Sequence, residues 1–490
     1  MNAQRWNSRL GFIMAAIASA IGLGNIWRFP YITFENGGGA FLIPYLLAMF
    51  TAGIPLMIYE FYLGNKYRYG APKTFKTINN KFEWLGWFQV IIGVVISVYY
   101  MVIIGWSISY FYFSFSGIWG NDTEQFFMQD FLQLSDSVDN LGSIQWHIAL
   151  AVFIGWAATY LIIIRGVKKG IEKAVKILMP LLFFMVLILI ASVINLPGAI
   201  SGINYLFEPD FSKLLDINIW VSAYSQMFFT LSIGFSIMIV YSSYMPKESD
   251  VSSNAFITVF INCGFSLLAG ILVFSIIGYM AHAESLSMKD AVSSGPGLAF
   301  ITIPKAINLL PFAHILGPIF FLVLTFAGLT SIISIVESVI CALQSKFNFR
   351  RSSIVNIFCL CGFVLSLIFT LNGGLYLIDI VDYLMCNIGL YFSCLMEVII
   401  GLLFIKYYNI RNYINSHSDI RVNTFFEYCI KFVVPVILFI LLIGTIYKLY
   451  NSGYENYSSS NLFYYGWIIL LINIFISVLL NIVTSKRNKL

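Results

Sequence analysis

Long apolar runs separated by short polar and basic stretches recur along the whole chain. A helix needs roughly 20 mostly apolar residues to cross the hydrocarbon core of a bilayer. The pattern predicts about twelve such helices, over residues 10–34, 38–64, 86–117, 147–165, 174–195, 219–244, 255–281, 314–344, 353–371, 376–405, 431–450 and 463–484. Several runs exceed one perpendicular crossing, so tilted or protruding helices are expected. The residue-by-residue alternation of an outer-membrane barrel is missing. The expected class is therefore an all-α integral membrane protein.

Composition agrees with the pattern. Of 490 residues, 59% are hydrophobic and 10% charged, with a mean hydropathy of +0.84. Soluble domains run at about 45–50% apolar and about 25% charged. A soluble enzyme, a disordered chain and a disulfide scaffold are all excluded. The formal charge of +5 does not point to nucleic acid, because the basic residues sit in short clusters between apolar runs. The N-terminal segment, the loops after even-numbered spans and the C-terminal tail hold 23 of the 28 Lys and Arg residues, including Lys486, Arg487 and Lys489. The opposite loops hold only Lys213, Lys289, Lys305 and Lys448, and Arg28 falls inside a span. Basic residues stay on the cytoplasmic side. A multi-pass protein of the cell membrane with both termini cytoplasmic is expected. Arg5, Arg9 and the Ala18-Ser19-Ala20 stretch imitate a cleaved signal peptide, but the motif that follows argues against cleavage. The seven cysteines all lie in or beside predicted spans, so no structural disulfide is expected. No metal-ligand spacing, nucleophile–base constellation or nucleotide loop is present, which argues against an enzyme and against ATP-driven transport.

Two spans carry helix-breaking residues near their middles. The first contains Gly22-Leu23-Gly24-Asn25 with Pro30 beyond, and the sixth contains Thr230-Leu231-Ser232-Ile233-Gly234. Such residues can serve close helix packing. Irregular backbone at membrane depth is otherwise tolerated only where it lines a cavity. Spans one and six occupy corresponding positions if the chain holds two five-helix repeats, over 1–195 and 196–405, followed by two further helices in 406–490. Broken helices in corresponding positions of inverted repeats mark the midplane site of a secondary transporter.

The chain resembles the neurotransmitter:sodium symporter family in its bacterial amino-acid-transporting branch. The resemblance is carried by Arg9-Leu10-Gly11-Phe12, by Ala20-Ile21-Gly22-Leu23-Gly24-Asn25-Ile26-Trp27-Arg28-Phe29-Pro30, and by Glu35-Asn36-Gly37-Gly38-Gly39-Ala40-Phe41. Gln226-Met227-Phe228-Phe229-Thr230-Leu231-Ser232 and Ala327-Gly328-Leu329-Thr330-Ser331 extend it. It implies a LeuT-type fold of 5+5 inverted repeats with helices 1 and 6 discontinuous, and import of a neutral amino acid with Na⁺ by alternating access. It implies two sodium sites. The first comprises Ala20, Asn25, Thr230, Asn262 and the substrate carboxylate; the second comprises Ala18, Ile21, Ala327, Thr330 and Ser331. Such oxygen ligands suit a hard cation. The implied substrate pocket is Ser19, Ala20, Gly22, Gly24, Ile96, Tyr100, Phe229, Thr230, Ser232, Phe235, Ser331 and Ile335. Monoamine members carry aspartate where this chain has Gly22, so a substrate that brings its own carboxylate is expected. Ile96, Phe235 and Ile335 suggest a small or medium aliphatic side chain, with an aromatic substrate as the rival.

The resemblance also implies gates formed by Arg28, Asp382, Tyr100 and Phe229 at the outer end and Trp6 at the inner end. Chloride is a further implied ion, at Tyr45, Gln226, Thr230 and Ser266; the other reading of Ser266 is a helix-packing serine. Departures from the family concern the inner gate. Arg5 directly precedes Trp6, and Ser345 replaces the usual acid, so an arginine–aspartate closure is in doubt. A transporter-like receptor that binds without moving substrate is the alternative these departures favour. Gly170 and Pro180 imply either local unwinding of helix 5 or a fixed kink. Glu60 is expected to cap freed amides near the sixth-span break, Glu397 to serve helix packing, and Glu337 has no assigned role.

Overall fold

The computed structural model describes residues 4–292 and 295–483; Lys486, Arg487 and Lys489 of the basic tail lie outside the described residues. Among the described residues, ten unbroken helical spans are long and apolar enough to cross a membrane. They are α2 (Gly39–Tyr67), α3 (Asn80–Phe113), α4 (Trp146–Ile163), α5 (Val167–Val193), α7 (Val251–Glu284), α8 (Ala313–Phe347), α9 (Arg351–Thr370), α10 (Gly374–Phe404), α11 (Thr424–Ser452) and α12 (Ser459–Ile482). The first span is two halves, α1a (Arg9–Ala20) and α1b (Gly24–Glu35), bent by 55°. The sixth is split into α6a (Ile217–Thr230) and α6b (Ile237–Ser243). The bent first pair makes up to eleven candidate crossings among the described residues, and the broken sixth helix occupies the place of the remaining expected span.

Burial sorts the helices. In α3 and α8, 78% of the most apolar stretch is buried within the protein, against 33% in α5 and 28% in α12. The first pair forms the core against which the broken helices rest, and the second faces lipid with exposed side chains such as Phe184 and Phe475.

Each break has a local cause. In α1 the backbone turns extended at Ile21, and the Gly22 amide bonds to the Asn25 side chain (2.9 Å) instead of continuing the helix. The carbonyls at the end of α1a are thereby released from the helical ladder. In the sixth span Ser232, Gly234 and Ser236 all adopt left-handed backbone, with φ of 53°, 82° and 66°. Two of these are not glycine, and left-handed geometry costs each roughly 1–2 kcal/mol. Neighbouring helices offset this cost. The Glu60 carboxylate on α2 accepts from the Gly234 amide (2.6 Å), Ser393 on α10 donates to the Gly234 carbonyl (3.0 Å), and Ser232 donates to the Ser19 carbonyl (2.9 Å). Glu60 therefore caps the break, as expected. Glu397 accepts from Gln89 (2.6 Å) and joins α10 to α3. All seven cysteines are free.

In helix 5 Gly170 and Pro180 stand in different backbone, Gly170 in a π turn and Pro180 in the regular helix after it. Pro180 lies inside a continuous helix, Glu172–Val193. The irregularity is one π turn earlier, Val167–Ile171, after Gly166 at φ 78°.

Candidate functional site

The two breaks meet in the core. The Asn25 amide nitrogen stands among three oxygens from two other helices: Thr230 Oγ1 at 3.0 Å, Asn262 Oδ1 at 3.0 Å and Ser266 Oγ at 2.8 Å. All four residues are buried. The Gly22 amide, which donates to Asn25 Oδ1, fixes this orientation of the side chain. Three neutral oxygens converge here without a carboxylate, a donor type that suits a monovalent hard cation. Ala20, at the end of α1a, borders this region.

A second convergence joins α1 and α8. The Ser331 hydroxyl lies 3.2 Å from the Ala327 carbonyl and 3.5 Å from the Ile21 and Ser19 carbonyls. Thr330 Oγ1 bonds the Phe326 and Ala327 carbonyls, both at 3.0 Å. Both hydroxyls thus back-bond within α8, and Ser331 also reaches across to α1. Ala18 lies in the last turn of α1a, where its carbonyl is released because the Gly22 amide is directed to Asn25.

Between these cradles is the mouth of the first break. The Leu23 amide donates to the Tyr100 hydroxyl (3.2 Å). A Cβ on Gly22 would stand 3.1 Å from Ser331 Oγ and 3.2 Å from Tyr100 Oη, and one on Gly24 would stand 2.5 Å from the Phe229 ring. A side chain at position 22 would therefore press on both hydroxyls, beside the Leu23 amide. Ile96 lies one turn from Tyr100 on the same face of α3, Ile335 packs against Gly93 of α3, and Phe235 closes the sixth-span break.

Arg28 and Asp382, the pair expected to form the outer gate, do not bond each other. Arg28 lies over the Phe229 ring, 4.4 Å from its centre, and reaches Ser225 Oγ at 3.4 Å. Asp382 instead accepts from the Tyr99 hydroxyl (2.6 Å) and from the Cys386 thiol (3.4 Å). The Gln226 side-chain amide is buried with neither atom bonded, and the Tyr45 hydroxyl donates to Cys263 (3.4 Å).

The sequence profile of the sodium:neurotransmitter symporter family matches residues 3–123 and 119–488. The chain belongs to that family. It is 40% identical over 481 residues to a sodium-dependent transporter of Methanocaldococcus jannaschii, itself uncharacterized, covering 98% of both chains. It is 31% identical over 415 residues to the human sodium- and chloride-dependent GABA transporter 2, covering 77% of this chain and 69% of that one. The creatine transporter of Torpedo marmorata is 34% identical over 416 residues, covering 77% and 68%. The protein is thus a sodium-dependent symporter of a LeuT-type, multi-pass membrane fold and not an enzyme.

At the Trp6 end of the bundle the contacts differ from an Arg5–Ser345 pairing. Trp6 is buried; its indole donates to the Tyr241 carbonyl (2.8 Å) and packs edge-on against Tyr241 and Tyr244. Arg5 is exposed, and Ser345 bonds only to the Ala342 carbonyl of its own helix. Other charges pair here. Arg9 pairs with Asp250 (3.0 Å) and Asn254 (2.9 Å). Arg351, at the start of α9, grips the fully buried Glu337 carboxylate with two nitrogens, and Tyr244 donates to the same carboxylate (2.8 Å). The sequence reading missed Arg351 because it was counted only as a topological charge. The signal was available: an intramembrane carboxylate needs a partner, and Arg351 is fourteen residues beyond Glu337.

Asp250 shows how this end responds to acid. Burial alone would raise its carboxyl, but bonds from Ser253 and the Arg9 charge outweigh it and hold the group below the usual aspartate range. A depressed carboxyl contributes stability above its unfolded value of about 3.9 and loses it as pH falls through the folded value. The tie is therefore constant from about pH 5 to 8, and Asp250→Asn is expected to reproduce its loss at neutral pH.

Glu172 was also missed. It is buried at the first turn after the π segment, where it accepts from the Asn7 amide (2.7 Å), Ser8 Oγ (3.0 Å) and Lys176 Nζ (2.6 Å). A Cβ on Gly11 would stand 2.3 Å from its carboxyl. The segment bearing Trp6 is sewn to the weakest part of α5. Glu172→Gln is expected to speed hydrogen exchange of residues 4–12 about ten-fold, since a bond to a charged group is worth about 1.5–3 kcal/mol. Unchanged exchange would remove Glu172 as the fastening.

Proposed function

We propose that the protein imports a neutral, small or medium aliphatic amino acid together with sodium, both termini facing the cytoplasm of a cell-membrane protein built from the two five-helix repeats. The observation that carries this reading is the meeting of the Leu23 amide and the Tyr100 hydroxyl beside Gly22, which has no side chain to cover them. A carboxylate seated there meets the Leu23 amide, the Tyr100 hydroxyl and the positive end of a half-helix dipole. GABA and creatine, named for two of the relatives, both carry a carboxylate. The apolar Ile96, Phe235 and Ile335 offer nothing to a charged side chain.

The Asn25 cradle supports a first sodium site, completed by the substrate carboxylate and the Ala20 carbonyl. The Ser331–Ala327–Ile21 convergence, with Thr330 and the released Ala18 carbonyl, supports a second. Sharing a carboxylate between substrate and ion couples their binding, because neither site is complete alone. Uptake into proteoliposomes under an inward sodium gradient, screened over the twenty amino acids, tests the reading. Uptake of leucine, valine, alanine or methionine that vanishes when potassium replaces sodium is expected. Uptake limited to tryptophan and tyrosine would overturn the aliphatic assignment. Sodium-dependent binding without uptake would make the protein a receptor.

Chloride is the third proposed ion. Gln226 buries an unbonded donor and acceptor, at a cost of roughly 1–3 kcal/mol per group. Its amide, with the hydroxyls of Tyr45, Ser266 and Thr230, makes a donor set for an anion that would offset sodium charge. Replacing chloride by gluconate is expected to cut uptake several-fold; unchanged uptake would remove chloride from the mechanism.

A further inference from the structure

The two gate residues are each engaged elsewhere, and their partners form a pattern. Ser225 Oγ and the Tyr391 hydroxyl are 2.6 Å apart, and Tyr391 donates to Asn387 Oδ1 (3.3 Å). The Asn387 nitrogen is in turn committed to the Tyr383 carbonyl (2.9 Å). These directions fix the rest. Tyr391 uses its proton on Asn387, so it accepts from Ser225, and Ser225 accepts from Arg28. A one-way chain of donors runs from the guanidinium into α10, and a cation at its head polarises every bond along it. Tyr391 and Tyr99 are both buried, at 4% and 1% exposure. Both docks are therefore desolvated, and a bond to a charged group there is not readily replaced by water.

We propose that the outer gate closes by exchange of partners. Arg28 leaves the Ser225–Tyr391 dock and Asp382 leaves Tyr99, and only then do the two pair. This rests on the reading of Arg28 and Asp382 as the gate. Tyr99 and Tyr391 are positioning residues: each holds one gate charge away from the other, and neither touches the space at Gly22. Tyr99 neighbours Tyr100, whose hydroxyl meets the Leu23 amide, so a carboxylate drawn to Tyr100 acts on the same turn of α3 that holds Asp382.

The proposal and a purely structural role make opposite predictions. If Ser225–Tyr391 and Tyr99–Asp382 were only ties between helices, cutting them would loosen the outer end. If they are docks, cutting them frees the gate charges to pair. The probe is a membrane-impermeant methanethiosulfonate reagent applied in sodium, with a cysteine at Ile96 in the pocket wall as reporter and Ile335→Cys as a second reporter. Tyr391→Phe and Tyr99→Phe are each expected to slow labelling about ten-fold, the scale of one hydrogen bond to a charged group. Adding Asp382→Asn is expected to abolish the slowing, because the closing pair is gone. Faster or unchanged labelling in both Phe variants, with Asp382→Ala still speeding it, overturns the exchange and leaves the gate reading intact. No response to Asp382→Ala overturns the gate reading itself.

Discussion

Arg351→Met is expected to destabilise the folded protein by about 3–5 kcal/mol, the cost of leaving one member of a buried ion pair unpartnered. Glu337 has no exposed surface, and apart from Arg351 only the Tyr244 hydroxyl reaches its carboxylate. The same guanidinium also bonds the Ile163 carbonyl at the end of α4 (3.0 Å), so one side chain joins α4, α8 and α9 and, through Tyr244, the Trp6 seat. The double variant Arg351→Met/Glu337→Leu removes both charges and is expected to recover most of the loss, because an apolar replacement of a buried pair is often neutral. Thermal unfolding in detergent, followed by size-exclusion recovery, reads both variants. Equal losses in single and double variants would show that the pair is not the source. Uptake separates fold from mechanism: the double variant is expected to be stable yet leaky, with Trp6 less firmly held.

Asn25→Ala is expected to lower apparent sodium affinity about 100-fold, or roughly 2.7 kcal/mol, the scale of a buried polar ligand together with the partners it leaves unbonded. Asn25 bonds Thr230, Asn262 and Ser266 and also terminates α1a through the Gly22 amide. Its loss acts on the ion cradle and on the break at once. Sodium-dependent protection of the Ile96 reporter from methanethiosulfonate measures the change without requiring transport. Ser266→Ala removes one of the three oxygens around Asn25 and one member of the proposed anion set but leaves the α1 break intact; its sodium response is expected to change less, within about three-fold, or 0.6 kcal/mol. An unchanged sodium response in Asn25→Ala would remove the first sodium site.

Much of this was legible in the chain because the bilayer imposes hard rules. A span must be apolar and about twenty residues long, and backbone at membrane depth must be satisfied. Apolar runs therefore gave the helices, and Gly22–Asn25 and Ser232–Gly234 gave the two breaks. The residues proposed to hold ions were legible by two different signals. Ala18–Asn25 and Thr230 lie beside the breaks, whereas Asn262, Ser266, Ala327, Thr330 and Ser331 stand on α7 and α8 and were read from the family resemblance. Glu60 as a cap followed from the same logic, because amides freed in the sixth span need an acceptor.

The charge pairings were not legible. Sequence placed Glu337 in α8 and Arg351 after it, Arg28 and Asp382 at one end, and Glu172 near a basic cluster. Which carboxylate meets which cation depends on helix rotation and crossing. One residue of rotation turns a side chain about 100°, and a partner can come from any of several neighbours. Tertiary structure therefore decided that Glu337 pairs with Arg351; that Glu172 is bonded to the segment around Trp6; and that Arg28 and Asp382 stand apart, the first on Ser225 and the second on Tyr99. Hydrophobic periodicity carries the fold because burial is non-directional and sums along a helix. The pairing of a few buried charges is directional and is fixed only once the helices are packed.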